Sequence, residues 1–172
     1  IPPNSFFQTN TEMAAKLLAT VREFLLDSRP TRLLDLYCGV GFFGISLANT
    51  ADRVLGVELD AAAAAMARRN AERNGVKNAE FISGAAEALA WERETPDVVI
   101  VDPPRSGLHP KVIRTLLDKA PGRIIYVSCN YESFARDFRA MSSKYRITRL
   151  SALDLFPHSP HIEVVSLLNL VN

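Results

Sequence analysis

The stretch Arg32-Leu-Leu-Asp-Leu-Tyr-Cys-Gly-Val-Gly-Phe-Phe-Gly44 decides how the rest of the chain is read. Arg32 to Tyr37 is a short apolar run, suited to a strand buried on both faces. Cys38 to Gly44 cannot extend it. Its glycines, Gly39, Gly41 and Gly44, fit the G-x-G-x-x-G spacing of a turn that opens a helix, here expected to reach about Asn49. The next apolar run, Arg53 to Val57, ends on Glu58, where an acid can bind ribose hydroxyls. Asp60 is positioned to cap an alanine-rich helix that stops near Asn74-Gly75. Strand, glycine turn, helix, strand and acid together indicate a bound nucleoside cofactor. A nicotinamide dinucleotide fits that pattern. Asp35, four residues before Gly39, favours a ligand with a charged amino acid portion, as S-adenosylmethionine has.

Outward from this unit the chain alternates. Upstream, residues 1–10 are irregular, and Met13, Leu17, Leu18, Val21, Phe24 and Leu25 recur at helical spacing. They predict an amphipathic helix over 11–27, capped by Asn10 or Thr11 and broken by Ser28-Arg-Pro-Thr31. Downstream come a strand at Ala79 to Ile82, a short helix from Gly84 to Trp91, and a strand at Asp97 to Val101. A helix over 110–119, a strand over 122–128 and a helix over 131–143 follow. Two last strands, Tyr145 to Phe156 and Ile162 to Val171, are joined by Pro157-His-Ser-Pro-His161 and expected to be antiparallel. The fold class is therefore α/β: a doubly wound, mostly parallel seven-stranded sheet with an antiparallel C-terminal hairpin and a reversed edge strand. One domain over 1–172 is expected, with residues 1–27 as lead-in loop and helix.

Bulk composition narrows the partners. With 172 residues, 48% hydrophobic and 23% charged, the chain can bury a proper core. A net charge of +1 gives no broad basic field, so any grip on nucleic acid has to come from local patches or another domain. No apolar run is long enough to span a membrane. Two cysteines far apart point to a reducing, cytoplasmic compartment. The start at Ile1-Pro-Pro, without methionine, leads us to expect one domain of a longer protein.

Three sets of residues carry candidate chemistry. Asp102-Pro-Pro-Arg105 ends a strand at the sheet's carboxyl rim, where two prolines stiffen the backbone behind the acid. A stiff turn with a solvated acid explains it equally well, and Arg105 suits either a phosphate or an acid partner. Cys129 follows the apolar strand Ile124 to Val127 and precedes a helix. A buried cysteine is commonly core filler, but a helix N-terminus and nearby cations would lower this thiol's pKa and make it a nucleophile. Cys38 is read as packing beside the cofactor. Glu163, between Ile162 and Val164, would have a raised pKa in so apolar a strand and suits proton abstraction. The rival reading is an edge-strand charge that blocks aggregation. His158 and His161 are read as turn residues, and two cysteines cannot build a four-cysteine metal site.

Six segments in order resemble one family, the RNA uracil-5-methyltransferases. They are Ser5-Phe-Phe-Gln-Thr-Asn10, Asp35-Leu-Tyr-Cys-Gly-Val-Gly41, Val54-Leu-Gly-Val-Glu58, Val101-Asp-Pro-Pro-Arg-Ser-Gly-Leu108, Tyr126-Val-Ser-Cys-Asn130 and Asp154-Leu-Phe-Pro-His-Ser-Pro-His-Ile-Glu-Val-Val165. The resemblance implies a class I (Rossmann-like) methyltransferase that makes 5-methyluridine in transfer or ribosomal RNA, with S-adenosylmethionine as cofactor. It implies Cys129 as nucleophile and Glu163 as base. It also implies that Gln8, Tyr37, Gly39, the backbone around Phe42, Glu58 and Asp102 contact the cofactor. RNA is then the partner, with Phe6, Phe7 or Tyr131 as stacking surfaces and Arg105, Lys111 and Arg114 as phosphate contacts. No membrane, no metal in these residues, and a monomer are expected. The family usually has proline after Ser-Cys-Asn, where this chain has Tyr131. Its members carry an N-terminal TRAM-type β-barrel and often an iron–sulfur cluster, neither of which shows in these residues. An amino-group methyltransferase, which also places Pro-Pro after its fourth strand, and a non-catalytic binding module are the rival readings.

Overall fold

Strands rich in valine, leucine and isoleucine, without polar alternation, have to be covered on both faces. A computed structural model describes residues 11–25, 30–88, 91, 94–154 and 162–171. The helices are α1 (Thr11–Leu25), α2 (Phe42–Ser46), α3 (Ala61–Arg73), α4 (Pro110–Lys119) and α5 (Tyr131–Met141). The strands are β1 (Arg32–Leu36), β2 (Arg53–Glu58), β3 (Ala79–Ser83), β4 (Val98–Val101), β5 (Arg123–Ser128), β6 (Tyr145–Leu153) and β7 (Glu163–Leu170). They form one sheet in the order β3-β2-β1-β4-β5-β7-β6.

Successive residues of each strand feed opposite layers. Leu34, Leu36, Val99, Val101, Ile124 and Tyr126 pack with Val112 and Leu116 of α4 and Phe134 and Met141 of α5. Leu33, Val98, Ile100, Ile125 and Val127 pack with Leu17, Val21 and Phe24 of α1 and Phe43 of α2. A smaller cluster of Cys38, Ala67, Ala71 and Phe81 seats α3 beside the glycine turn. Asp60 caps α3 by accepting from the Ala62 and Ala63 amides at 2.8 and 3.4 Å, and Gly75 beyond its end is left-handed (φ +67°), both as the sequence predicts.

Three local expectations need correction. The reversed strand is not at the edge: β7 runs antiparallel between β5 and β6, and β6 is the outer strand. Burial explains the order. Six of the eight residues of β7 are buried, while β6 exposes Arg146, Ile147, Thr148 and Leu150 and breaks register between Ile147 and Arg149. Charges and a bulge belong on an edge. The helix expected up to Trp91 is, among the described residues, a 3-10 turn at Ala86–Ala88, and the one after the glycine turn closes at Ser46 with a 3-10 turn at Ala48–Thr50. The joining segment Pro157 to His161 lies outside the described residues, as do Asn10, His158 and His161.

Gly56 of β2 has no room for a side chain. A methyl group there would stand 2.3 and 2.6 Å from the Phe81 ring and 3.0 Å from the Cys38 sulfur. Gly56→Ala is therefore expected to cost about 1–3 kcal/mol by overpacking. Urea unfolding should show a lower midpoint at unchanged slope; an unchanged midpoint would contradict this packing.

Candidate active site

In a parallel sheet every strand delivers its last residue to the same rim. Glu58 ends β2, Asp102 follows β4 and Cys129 follows β5. The reversal of β7 brings a different end to that rim, namely its first residue, Glu163. Ser128 pairs with Val164, so one step further along the register Cys129 comes level with Glu163. Two residues 34 positions apart in sequence are thereby neighbours across one strand pair.

The cysteine is held by its neighbours. Ser128 Oγ donates to the Asn130 carbonyl at 2.8 Å and accepts from the Asn130 amide at 3.1 Å. Asn130 caps α5 by accepting from the Glu132 amide at 3.0 Å, and Ser133 Oγ donates back to the Asn130 carbonyl at 3.0 Å. Tyr131 occupies the first helical position of α5 and is 67% exposed. Proline and tyrosine both fit such a position, because its N–H needs no helical partner.

The expected acidic thiol is not found. Burial, followed by the nearby charges of Glu163 and Asp102, raises the pKa of Cys129; Arg105 opposes them. Burial is the first cause, and among the described residues the two acids Glu163 and Asp102 act on the sulfur against the one cation Arg105. Glu163 behaves as the sequence predicts. It is only 7% exposed, and desolvation with the charge of Asp102 lifts it to about 8. Desolvation alone lifts Asp102 to about 7. Of its two neighbours, Ile162 is exposed and Val164 is buried.

The glycine turn is built by two acids. Glu58 accepts from the Gly39 amide with Oε2 and from the Asp60 amide with Oε1, both at 2.9 Å. A carboxylate oxygen that accepts one bond keeps acceptor capacity for a further donor. Asp35, expected to meet a ligand, is instead sealed beneath the turn. Its Oδ2 accepts from the Gly44 amide at 2.8 Å, and its Oδ1 has no hydrogen-bond partner among the described residues. Desolvation raises it to about 7 against that hydrogen bond, with Asp102 and Glu58 adding to the rise. Gly44 is needed because a Cβ would lie 3.1 Å from Asp35 and from Phe81. Among the described residues nothing stands within 4 Å of a Cβ built at Gly39, and Gly39 and Gly41 both have positive φ. Tyr37 shares that left-handed backbone (φ 63°), and burial pushes its phenol up to about 12. A strained tyrosine beside a glycine turn is typical of functional sites, and its sequence gives no sign of it. Leu59, straight after the strand-ending Glu58, is 70% exposed although apolar, and sequence reasoning did not single it out. Phe42 lies at the start of α2, half-buried. Cys38 is buried, as expected, and desolvation raises its thiol far above the ordinary range. Gln8, Phe6 and Phe7 lie outside the described residues. Lys111 and Arg114 are exposed along α4.

The comparisons with known proteins converge on one family. The profile described as tRNA (Uracil-5-)-methyltransferase matches residues 1–96 and 91–171. The chain belongs to that family. Members similar to it include an uncharacterized RNA methyltransferase of Caldanaerobacter subterraneus, 48% identical over 95% of this chain and 37% of the relative. The 23S rRNA (uracil(747)-C(5))-methyltransferase of Pectobacterium atrosepticum is 43% identical over 98% of this chain and 45% of the relative. The crystal structure of Pyrococcus abyssi tRNA (uracil-54, C5)-methyltransferase in complex with S-adenosyl-L-homocysteine superposes with a TM-score of 0.87 at 46% identity, over 98% of this chain and 41% of that one. The chain thus spans about two fifths of the length of the family members it matches. The fold is that of class I methyltransferases, shared even with an N-methyltransferase of Bradyrhizobium japonicum at 12% identity and a TM-score of 0.80. Among the described residues no group of three or more His, Cys, Asp and Glu is arranged to hold a metal, and no helix is long and apolar enough to cross a membrane.

The three raised carboxyls set a pH dependence. Asp35, Asp102 and Glu163 keep a proton in the folded chain where the unfolded chain has lost it. The native state therefore binds more protons, and stability falls as pH rises from about 4 to about 8. Glu163→Gln removes one such group. Its unfolding free energy should match wild type near pH 4 and exceed it by more than about 1 kcal/mol near pH 8. Parallel curves in denaturant titrations across that range would contradict the assignment.

Proposed function

We propose that this chain is the catalytic domain of an S-adenosylmethionine-dependent enzyme that methylates carbon 5 of a uridine in transfer or ribosomal RNA. The observation that carries the reading is the cross-strand placement of Cys129 level with Glu163 at the rim that also holds the glycine turn. The cofactor fits the residues present. Among the described residues nothing crowds a Cβ built at Gly39, Glu58 keeps acceptor capacity toward a ribose, and Leu59 offers an apolar face to a base. The desolvated acid Asp102 is suited to a cationic ligand, which would lower its pKa again. Tyr37, Gly39, Phe42, Glu58 and Asp102 are the described residues that would hold it, with Gln8 as a further contact. When bound, S-adenosylmethionine supplies an electrophilic methyl group.

The chain's own residues supply the rest. Carbon 5 of uracil is a weak nucleophile. Addition of the Cys129 sulfur to carbon 6 forms a carbon–sulfur bond and moves the ring's electron pair toward carbon 5 and the carbonyl. Once carbon 5 carries its methyl group, Glu163 takes the proton from it. The returning electron pair expels the cysteine and restores the ring. Its raised pKa makes Glu163 a strong proton acceptor once ionised, and the carboxyl has to lose its own proton in the assembled site before it takes this one. The thiol has to lose its proton in the assembled site, and Arg105 favours that loss. The target uridine has to leave its stack to reach the rim, at a cost of a few kcal/mol, and exposed Tyr131 is placed to stack with an unpaired base.

RNA carrying 5-fluorouridine tests the reading, because fluorine cannot leave as a proton. The whole protein should form a methylated covalent adduct stable to denaturation, visible by mass spectrometry. Cys129→Ala should lower its formation by at least about a thousandfold. No adduct with wild type, or an adduct with Cys129→Ala, would contradict the proposal.

A further inference from the structure

Behind the rim, α5 carries a wholly buried acid that the mechanism above does not use. Asp137 is 1% exposed, and its carboxylate accepts four hydrogen bonds. Oδ2 takes the Leu108 amide and the Tyr126 hydroxyl, each at 2.7 Å. Oδ1 takes Arg136 Nε at 3.0 Å and Nη2 at 2.7 Å. The same Arg136 Nη2 donates to the Ser106 carbonyl at 2.6 Å. The segment after the two prolines is thus tied at three of its four residues, since Asn130 Nδ2 also donates to the Arg105 carbonyl at 3.1 Å. Gly107 is left-handed (φ +82°), and a Cβ there would lie 2.4 Å from both Arg136 Nη2 and Asp137 Oδ2. The backbone is drawn onto these two side chains as closely as glycine permits.

We propose that Asp137, with Arg136 and Tyr126, is a positioning residue that locks the Arg105–Leu108 segment onto the Cys129 loop and so sets where Arg105 stands relative to the sulfur. The inference rests on the carbon-5 reading for the role of Cys129, though its test does not need turnover. A buried carboxylate is expensive to desolvate and is worth retaining only where its bonds are complete. Here they join three pieces of the site: β5 through Tyr126, the loop after β4 through Ser106 and Leu108, and α5, which begins two residues after Cys129. Among the described residues Arg105 is the one cation that acts on Cys129 against Glu163 and Asp102, so a loosened segment should weaken what opposes the two acids.

Asp137→Asn keeps the volume and the acceptor toward Leu108 and Tyr126, but turns an amide donor toward the Arg136 donors. The probe is the pH profile of iodoacetamide alkylation at Cys129 in the whole protein, followed peptide by peptide so that Cys38 does not interfere. Among the described residues, Glu163, Asp102 and Arg105 are the charged groups that act on the thiol. The expected result is a profile moved to higher pH, adduct formation with 5-fluorouridine RNA slowed about tenfold or more, and cofactor affinity within about twofold of wild type. A loss of stability alone would not move the profile of the folded protein. If Asp137→Asn does not fold, Arg136→Gln carries the test, because that side chain is 60% exposed. The same upward move would support the proposal. An unchanged profile in the folded variant would overturn it. Absence of any adduct with wild type would instead strike the carbon-5 reading and leave the alkylation comparison standing.

Discussion

The antiparallel pairing of β7 with β5 is the constraint on which the candidate site depends. Were β7 parallel, its first residue would lie at the opposite rim, and Glu163 could not come level with Cys129. Placing β7 inside the sheet rather than at its edge does a second thing: it buries Glu163 and takes its carboxyl out of water. One topological choice therefore supplies both the position of the acid and the desolvation that raises its pKa. The same burial would be a liability in an ordinary strand, where an unpaired acid costs stability.

The electrostatics of the rim follow from acids that are wholly or partly withdrawn from water. Asp35, Asp102 and Glu163 are all raised, and desolvation is the largest cause in each case. The charges of Asp102 and Glu58 add to it for Asp35, and the charge of Asp102 adds to it for Glu163. Such a cluster stores unfavourable energy that a cationic ligand relieves, which makes binding and charge complementarity the same event. Asp35 takes part from beneath, through its bond to the Gly44 amide, and shapes the turn without facing the cleft. The Cys129 thiol lies in this field, and burial with the charges of Glu163 and Asp102 raises its pKa.

Much of this was legible in the sequence, and the failures have physical causes. The alternation of strands and helices, the glycine turn, the caps at Asp60 and Asn74-Gly75 and the raised pKa of Glu163 follow from local patterning, which burial then reinforced. The order of the last two strands was missed because period-2 alternation says nothing about which strand of a hairpin lies inward. The count of apolar residues in β7 against the charges of β6 would have settled it. The acidic thiol was wrongly expected because a helix start was weighed without burial and without two acids distant in sequence. Asp35 looked like a ligand contact because strand ends usually point outward, whereas Gly44 lets the helix close over it. The Asp137 network left a trace in Gly107, whose need shows only once Arg136 and Asp137 are folded against it.

The division of labour between Cys129 and Glu163 is the central claim, and the fate of the carbon 5 hydrogen tests it most directly. With RNA tritiated at uridine carbon 5, the whole protein should release tritium in step with methyl incorporation. Glu163→Gln should still accept the methyl group but hold the tritium on a covalent protein–RNA adduct, with release slowed by at least about a hundredfold. Release of tritium by Glu163→Gln at the wild-type rate would contradict the account.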